Sequence, residues 1–525
     1  MKKTLSCILI FALVAAVFAG CTRPVSPPQE VYEGTEIVLS DDGITVDGSA
    51  ISTDGEGAVY AANDIVYYEE GHDFTYGEGT EKDAHSAEEA AAHTVVHIKK
   101  AGTYIVSGKL SLGQIAIDLG QDAKNNRECV VTLVLMGVDI TCTVAPAIIF
   151  YNVYECGSAD ADDATANVDT SHAGANIILP SETENTLRGA YVAKIYKPDS
   201  VELSDDGKEV VDAKKLHKYD GALYSKMSMN IWGGMAGDGK LTVYAANEGI
   251  DSELHLSING GNINIESGND GINTNEDGVS VTTINGGALN IRVTGATGEG
   301  DGIDSNGWLV INGGKVFSQA CAASMDAGVD SDMGIHINGG TVFATGNMLD
   351  RIAESQQNYA VFQLAQAGTG NYSLKRSDSV IVCQHAITNS FTYALVSSPD
   401  LIAGSYTLWA DDVQLAGIAG DNMGGQRPGG MTPPEGMTPP EGMTPPDGME
   451  PPEGSMPAEP PQDGQWPEGQ PGQRPEDGQH PEGGQRPEDG QRPNGGGFGG
   501  MTGELSTKFS IKDGGNYFTA VQKAP

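Results

Sequence analysis

Two series of acidic residues recur at matching spacings and could together bind divalent cations. Each member of the first series follows an Ile or Val, and the second series lies about three residues earlier. The first series is Asp251, Asn273, Asp304 and Asp330, and the second is Glu248, Asp270, Asp301 and Asp326. Oxygen ligands without thiolates or clustered imidazoles favour Ca²⁺ over zinc. The spacing therefore predicts structural calcium, with more than one ion.

Repulsion between carboxylates supports this interpretation. Stacked in neighbouring strands, these side chains would lie about 4.8 Å apart. Like charges at such a distance repel by about 1 kcal/mol per pair in water, and several-fold more where they are partly buried. Asp and Asn are also frequent turn formers, so the same residues could serve the corners alone. Because the pairing keeps its register between repeats, we favour calcium in at least one such site.

A repeated turn positions these residues. Ile-Asn-Gly-Gly begins at Ile258, Ile284, Ile311 and Ile337, in steps of 26, 27 and 26 residues (284−258, 311−284, 337−311). Two alternating runs flank each turn, and a short Asp-Gly-Ile-like run closes each unit. Three strands in about 26 residues fit one coil of a parallel β-helix, since a propeller blade needs four strands in roughly 40–45 residues.

The segments outside the repeats divide the rest of the chain. Residues 34–94 are predicted to be an N-terminal β segment with loops, 95–347 the parallel β-helix, and 348–421 a small C-terminal β cap. Residues 422–503 hold 18 of the 26 prolines, so we expect a disordered Pro/Gly/Glu/Gln-rich insertion there. Residues 504–525 are predicted to add the last strands of the cap.

The N-terminus resembles a bacterial lipoprotein signal. Lys2 and Lys3 precede an apolar run that ends before Ala19-Gly20-Cys21. The run is too short for a spanning helix. We predict a signal peptide over 1–20, a lipid on Cys21 and a tether over 21–33, which would anchor an extracellular protein to the plasma membrane. A plain secreted protein is the alternative.

Composition limits the partners. The net charge is −41, which excludes nucleic acid and an anionic membrane surface as default partners. We expect a monomer. Beyond Cys7 and Cys21, five cysteines remain without a CxxC spacing, so free buried thiols are the first interpretation and one disulfide the second.

Several motifs resemble one bacterial family. They are residues 131–141, Pro146-Ala147-Ile148, residues 184–187, the Asp-Gly-Ile and Ile-Asn-Gly-Gly repeats, and the Ser-Ser-Pro-Asp-Leu segment at 397–401. Together they resemble the carbohydrate-binding domain family of secreted lipoproteins, over about residues 95–347 and at 397–401. The resemblance implies a right-handed, pectate-lyase-like β-helix that binds plant cell-wall polysaccharide, cellulose or acidic pectin-like chains, with calcium at the coil edges.

The same resemblance assigns site residues by position. Its Asp-Gly-Ile-(Asp/Lys) elements match Asp251, Asp270, Asn273, Asp301, Asp304 and Asp330. This chain often has Asp where relatives commonly carry Lys, so its calcium content can differ from theirs. The predicted fold class is thus all-β: a right-handed parallel β-helix with three strands per coil, a small C-terminal β cap and a disordered insertion.

Three functions compete for this sequence. The first is a non-catalytic, calcium-containing lipoprotein that binds polysaccharide at the cell surface. The second is a calcium-dependent polysaccharide lyase, which needs an Arg or Lys base beside the metal. Between residues 227 and 347 the only such residues are Lys240, Arg292 and Lys315, on the second strand of their coils and not beside the acids. The third is a structural adhesin without a sugar ligand.

We favour the first function and predict no catalytic residue. The sugar-contacting residues stay unassigned. Tyr224 and Tyr244 are candidate outward rings for stacking on a sugar.

Overall fold

A computed structural model describes residues 30–420 and 504–524. The predicted signal peptide, Cys21, most of the tether and the 422–503 insertion lie outside these residues. The regular secondary structure of the described residues is almost all β-strand, and none of the described helices is long and apolar enough to span a membrane.

The first fifteen strands precede the regular repeats. They are β1 (Thr35–Leu39), β2 (Thr45–Val46), β3 (Ser49–Ala50), β4 (Val59–Ala62), β5 (Thr94–Ile98), β6 (Gly102–Leu110), β7 (Gly113–Asp118), β8 (Val131–Thr141), β9 (Ile148–Asn152), β10 (Ala175–Leu179), β11 (Glu184–Gly189), β12 (Val192–Tyr196), β13 (Glu202–Leu203), β14 (Val210–Asp212) and β15 (Lys215–Tyr219). The short helices are α1 (Ala87–Ala91) and the 3-10 turns Gln121–Asn125, Ala161–Asp163 and Pro198–Ser200.

The remaining strands form the repeats and the C-terminal part. They are β16 (Gly221–Ser225), β17 (Met229–Gly233), β18 (Lys240–Ala245), β19 (Glu248–Ser252), β20 (His255–Ile258), β21 (Asn262–Ser267), β22 (Ile272–Thr274), β23 (Val281–Ile284), β24 (Ala288–Val293), β25 (Trp308–Ile311), β26 (Lys315–Gln319), β27 (Gly334–Ile337), β28 (Thr341–Gly346), β29 (Ile352–Ser355), β30 (Tyr359–Arg376), β31 (Ile381–Ser397), β32 (Gly404–Ala410), β33 (Val413–Gly420), β34 (Phe509–Ile511) and β35 (Gly515–Lys523).

The sequence period brings equivalent residues side by side. The strands before the turns are β17, β20, β23, β25 and β27. They pair in parallel, so that Ile231, Ile258, Ile284, Ile311 and Ile337 are in register. All five side chains are fully buried. The strands after the turns are β18, β21, β24, β26 and β28, and they pair in parallel in the same way. Alternation of inward apolar and outward polar residues explains this arrangement.

The third run of each repeat is less regular. The strands β9, β16, β19 and β22 belong to a seven-stranded sheet, and β22 has only three residues. In the next repeat only an isolated bridge joins Ile272 to Ile303.

The predicted right-handed parallel β-helix is wrong as a fold class. The strands join into a 24-stranded sheet that mixes parallel and antiparallel pairing, and the seven-stranded sheet is only partly parallel because β4 runs antiparallel to β5. Antiparallel pairs also join β1 to β2 and β28 to β31. A fixed sequence period predicts contacts between successive repeats. Each of these antiparallel pairs includes at least one strand that lacks the period.

The C-terminal strands close a small barrel. β30 pairs with β32 and β35, and β33 completes the circuit by pairing with both of them. A second apolar core fills this part, including Phe362, Phe391, Tyr406 and Phe509. The barrel is joined to the repeats because β31 covers the edge of β28, where an unpaired edge would expose its backbone groups.

Side-chain hydrogen bonds add to that junction. The Asn389 amide donates to the carbonyls of Val293 (2.6 Å) and Ala320 (2.7 Å). The Gln319 side-chain carbonyl accepts from the Thr388 backbone N–H at 2.9 Å. Cys129, Cys142, Cys156, Cys321 and Cys383 are all free thiols.

Candidate calcium and carbohydrate sites

The outward residues of the third runs line up along one edge of the repeats. Asp251 pairs in register with Asn273. The Asp304 backbone N–H donates to the Ile272 carbonyl at 2.8 Å, and the Asp330 N–H donates to the Ile303 carbonyl at 2.7 Å. The backbone therefore brings the first predicted acidic series together.

The carboxylates gather in two groups. In the first acidic cluster, Asp220, Glu248 and Asp251 each offer an oxygen within 4.8 Å of the others. In the second acidic cluster, Asp301, Asp304 and Asp330 do the same. Asp220 was not among the predicted metal residues. Asp220-Gly221-Ala222-Leu223 is the Asp-Gly-Ile pattern one repeat earlier, so the signal was present.

The first acidic cluster is buried and incompletely hydrogen bonded. Asn273 Nδ2 donates to Glu248 Oε1 at 3.1 Å, and Asn275 Nδ2 donates to Asp251 Oδ1 at 2.6 Å. The second oxygens, Glu248 Oε2 and Asp251 Oδ2, are buried without a hydrogen-bond partner, as is Asn273 Oδ1. Buried oxygens without donors are costly. Carboxylate and amide oxygens are also the ligands of Ca²⁺, so these residues fit that ion.

Electrostatics point the same way. Burial raises the pKa of Glu248 and of Asp251 well above the usual range, and neighbouring carboxylates raise them further. The Lys218 ammonium lies 3.2 Å from Asp220 Oδ2 and offsets part of this charge. Three ionised carboxylates beside one ammonium leave a net charge of about −2, which one divalent cation would balance.

The corner acids have a clear structural role. Asp270 Oδ1 accepts from the Asp301 N–H at 2.6 Å, Asp301 Oδ1 from the Ala327 N–H at 2.5 Å, and Asp326 Oδ2 from the Gly300 N–H at 2.6 Å. Each bond links one repeat to another. Burial raises the pKa of Asp270 to about 7 and that of Asp301 well above its usual range. Backbone N–H groups at the corners thus occupy one oxygen each of Asp270, Asp301 and Asp326.

Of the predicted metal residues, five fall in the two clusters and three do not. Glu248 and Asp251 join the first cluster, and Asp301, Asp304 and Asp330 form the second. Asn273 contacts the first cluster through Glu248. Asp270 and Asp326 bind backbone N–H groups at the corners.

The basic residues considered for a lyase are engaged with acids or lie apart. The Lys240 ammonium lies 2.6 Å from Glu184, and the Arg292 guanidinium contacts Glu266. Lys315 is exposed on β26. Lys218 contacts Asp220 of the first cluster, and it was not predicted because it precedes the regular repeats.

The two predicted aromatic candidates differ in exposure. Tyr224 is buried, and its hydroxyl donates to Glu253 at 2.5 Å. Tyr244 is 41% exposed, and the Arg188 guanidinium lies 5.3 Å from its ring centroid. Tyr224 therefore cannot stack on a ligand, whereas one face of Tyr244 is covered by a cation.

A polar cleft of about 240 Å³ runs along the turns of the repeats. Its wall is the 166–171 loop, and its floor includes the turn asparagines and Trp232. Asn285 donates to Asn259, Asn312 to Asn285 and Asn338 to Asn312, each at 2.8 Å. We call this row of amides the asparagine ladder.

Comparison with known proteins gives the class. Residues 92–398 match the model of the carbohydrate-binding domain-containing protein family, which is more than half of the chain. The chain belongs to this family, and both acidic clusters and the cleft lie within its matched residues. No curated protein matches.

One solved structure is similar, the polysaccharide lyase-like protein from C. thermocellum, determined as a gadolinium derivative. It is 21% identical, with 59% of this chain and 93% of that chain covered. The TM-score is 0.32, so the likeness carries no argument about site or activity.

Proposed function

We propose that this protein is a non-catalytic, cell-surface polysaccharide-binding protein with calcium in the first acidic cluster. The observation that supports it most is the set of buried oxygens without donors on Glu248, Asp251 and Asn273, inside the carbohydrate-binding region. The ligand would be a cell-wall-type glycan, either neutral like cellulose or acidic like pectin. The lipid anchor at Cys21 is part of the proposal.

Calcium has a structural purpose in this proposal. It would be held by Asp220, Glu248 and Asp251, with the Asn273 carbonyl nearby, and would let the buried carboxylates stay ionised. An ion that binds only the folded chain stabilises it by mass action, by about 2.7 kcal/mol at one hundred times its Kd.

Thermal melting tests this role. We expect the melting temperature to rise by about 5 °C with excess Ca²⁺ over EDTA, and little with Mg²⁺, which resists dehydration. The variants Glu248→Gln and Asp251→Asn should lose the calcium response, whereas Asp122→Asn, an exposed control, should keep it. An equal response in all variants would assign the calcium effect to another place.

The alternative with specific support is a lyase, because Lys218 lies beside the first cluster. A lyase base must be unprotonated before it takes a proton. The neighbouring Asp220 carboxylate raises the pKa of Lys218, so the ammonium form is favoured and the residue is a poor base at neutral pH. This argues for binding without cleavage.

Product analysis distinguishes the two functions. We would incubate the protein with polygalacturonate and Ca²⁺ and follow the ultraviolet absorbance of unsaturated products, with Lys218→Gln and Arg292→Ala in parallel. We expect no product from any form, together with glycan retention in a pull-down assay. Calcium-dependent product that disappears in Lys218→Gln would establish the lyase instead.

A further inference from the structure

The cleft along the turns has the chemistry of a neutral sugar site. Its lining side chains are mainly amides and hydroxyls, and the apolar members are Ala166, Val168, Trp232 and Val310. Asp169 is the single charged residue in the lining. Hydroxyl groups pair with amide donors and acceptors without a charge, whereas a uronate would meet the Asp169 carboxylate and no cation.

Trp232 occupies a special position in the repeat. It stands where the other turns have asparagine, because Trp232-Gly233-Gly234 takes the place of Asn-Gly-Gly. Its side chain is 38% exposed. Within residues 30–420 and 504–524, no aromatic ring or cation stacks on its indole. The row of turns thus starts with an open aromatic surface and continues with amides.

The asparagine ladder leaves hydrogen-bonding groups for a ligand. Each internal amide, such as that of Asn285, donates one N–H to the preceding oxygen and accepts one from the following nitrogen. A carboxamide has two donor hydrogens and two acceptor lone pairs. One N–H and one lone pair therefore stay available on Asn285 and Asn312, both of which are exposed in the cleft.

The wall of the cleft is fixed before any ligand arrives. The Thr170 hydroxyl lies 2.8 Å from Asn230 Oδ1 and 2.7 Å from Ser257 Oγ. Asn230 Nδ2 donates to the Thr170 carbonyl at 2.8 Å. Because these partners are buried, the loop is held against the floor, and less ordering is needed on binding.

We propose that this cleft binds a neutral glycan chain, with one sugar ring stacked on Trp232 and the following hydroxyls hydrogen bonded to Asn285, Asn312 and Thr283. The proposal rests on the proposed carbohydrate-binding function and names the face that performs it. Tyr244 is the competing platform, but Arg188 already lies over its ring.

The test uses the full chain and cellohexaose as the neutral probe, with hexagalacturonate as the acidic one. Trp232→Ala should weaken cellohexaose binding by at least about tenfold, the loss expected for one aromatic contact. Trp232→Phe should weaken it less. Thr283→Val, a change of similar volume, should weaken it by about threefold. Tyr244→Ala is the matched control and should bind like the unaltered protein.

If circular dichroism shows that Trp232→Ala is unfolded, the binding of Trp232→Phe and Thr283→Val tests the cleft instead. Unchanged binding in the folded cleft variants, with a loss in Tyr244→Ala, would overturn the cleft while leaving the carbohydrate-binding function in place. If the unaltered protein bound neither cellohexaose nor hexagalacturonate, both the cleft proposal and the carbohydrate-binding function would be overturned.

Discussion

Buried His255 makes the stability depend on pH. The side chain is 2% exposed, and its Nδ1 accepts from the Val281 N–H at 3.1 Å. Burial lowers the pKa of His255 to about 4, from an ordinary value of 6.5. The unfolded chain therefore takes up a proton between pH 6.5 and 4 while the folded chain does not. Stability is lost as the pH falls through this window, by about 3 kcal/mol at most.

The variant His255→Asn tests this contribution. Asn keeps an acceptor at the same position in the side chain but does not titrate. We expect the free energy of unfolding to fall less steeply between pH 6.5 and 4 in the variant, whatever its absolute value. Urea unfolding at several pH values, in EDTA, provides the measurement. Parallel pH profiles for both proteins would contradict the assignment.

For single residues, the sequence predicted which acidic side chains share one edge better than it predicted what each of them binds. The acidic series was visible from spacing, and the first series does share one edge. Spacing could not show that Asp270 and Asp301 accept backbone N–H groups of other repeats, since those bonds depend on how the corners fold. It also could not show that Lys218 reaches Asp220, because that lysine lies on β15, before the repeats.

Among the elements, the turns of the repeats need glycine for two reasons that can be separated. Gly287 has φ +84°, and a Cβ there would lie 2.5 Å from the Gly261 carbonyl oxygen. Gly278 has φ +67° with open space around it. A left-handed backbone costs an ordinary residue about 1–2 kcal/mol. Of these two glycines, Gly287 alone also meets the backbone of the neighbouring repeat, which adds a clash to the cost of its conformation.

We therefore expect Gly287→Ala to destabilise the protein at least twice as much as Gly278→Ala. The expected losses are about 3 kcal/mol and about 1 kcal/mol. Denaturant midpoints at constant m-value would measure both. Equal losses would mean that the turns can separate to admit a methyl group.

Strand positions in the repeats followed from the alternation of residue types, but the third run did not. Ile303 and Val329 have the pattern of Ile250, yet the first makes only an isolated bridge. Periodicity predicts which side chains point inward, but it does not predict how many backbone hydrogen bonds form.

At the level of the whole molecule, barrel and repeats are joined as one unit. Asn389 on β31 donates to two carbonyls of the repeats, and β31 pairs with β28. Removing the donor would leave both carbonyls without that partner, at about 2 kcal/mol.

Asn389→Ala should lower the free energy of unfolding by that amount, whereas Asn371→Ala, an exposed amide at Asp411, should change it little. Chemical denaturation followed by tryptophan fluorescence would compare them. A loss no larger in Asn389→Ala than in Asn371→Ala would show that strand pairing alone holds the barrel in place.

The mixture of parallel and antiparallel pairing could not be predicted, because it depends on contacts between segments that are far apart in the sequence. β28 meets β31 across about fifty residues of chain, in antiparallel register from Val342↔Ser397 to Gly346↔Tyr393. The sequence of β31 carries no period that refers to β28. Local patterns predicted β-structure on both sides, while the direction of pairing depends on the path of the chain between them.

The even spacing of the asparagine ladder has a statistical consequence for a polymeric ligand. A homopolymer presents the same hydroxyls at every ring, so any of its rings can occupy Trp232 while its neighbours face the amides. Once the cleft is full, each further ring adds one equivalent alignment, so the affinity per chain should rise by the same increment for every ring beyond those that fill the cleft. A bound chain could also slide by one ring without release. Titration with a glucan trimer, hexamer and dodecamer would reveal this, and an affinity independent of length beyond the hexamer would show that only chain ends are held.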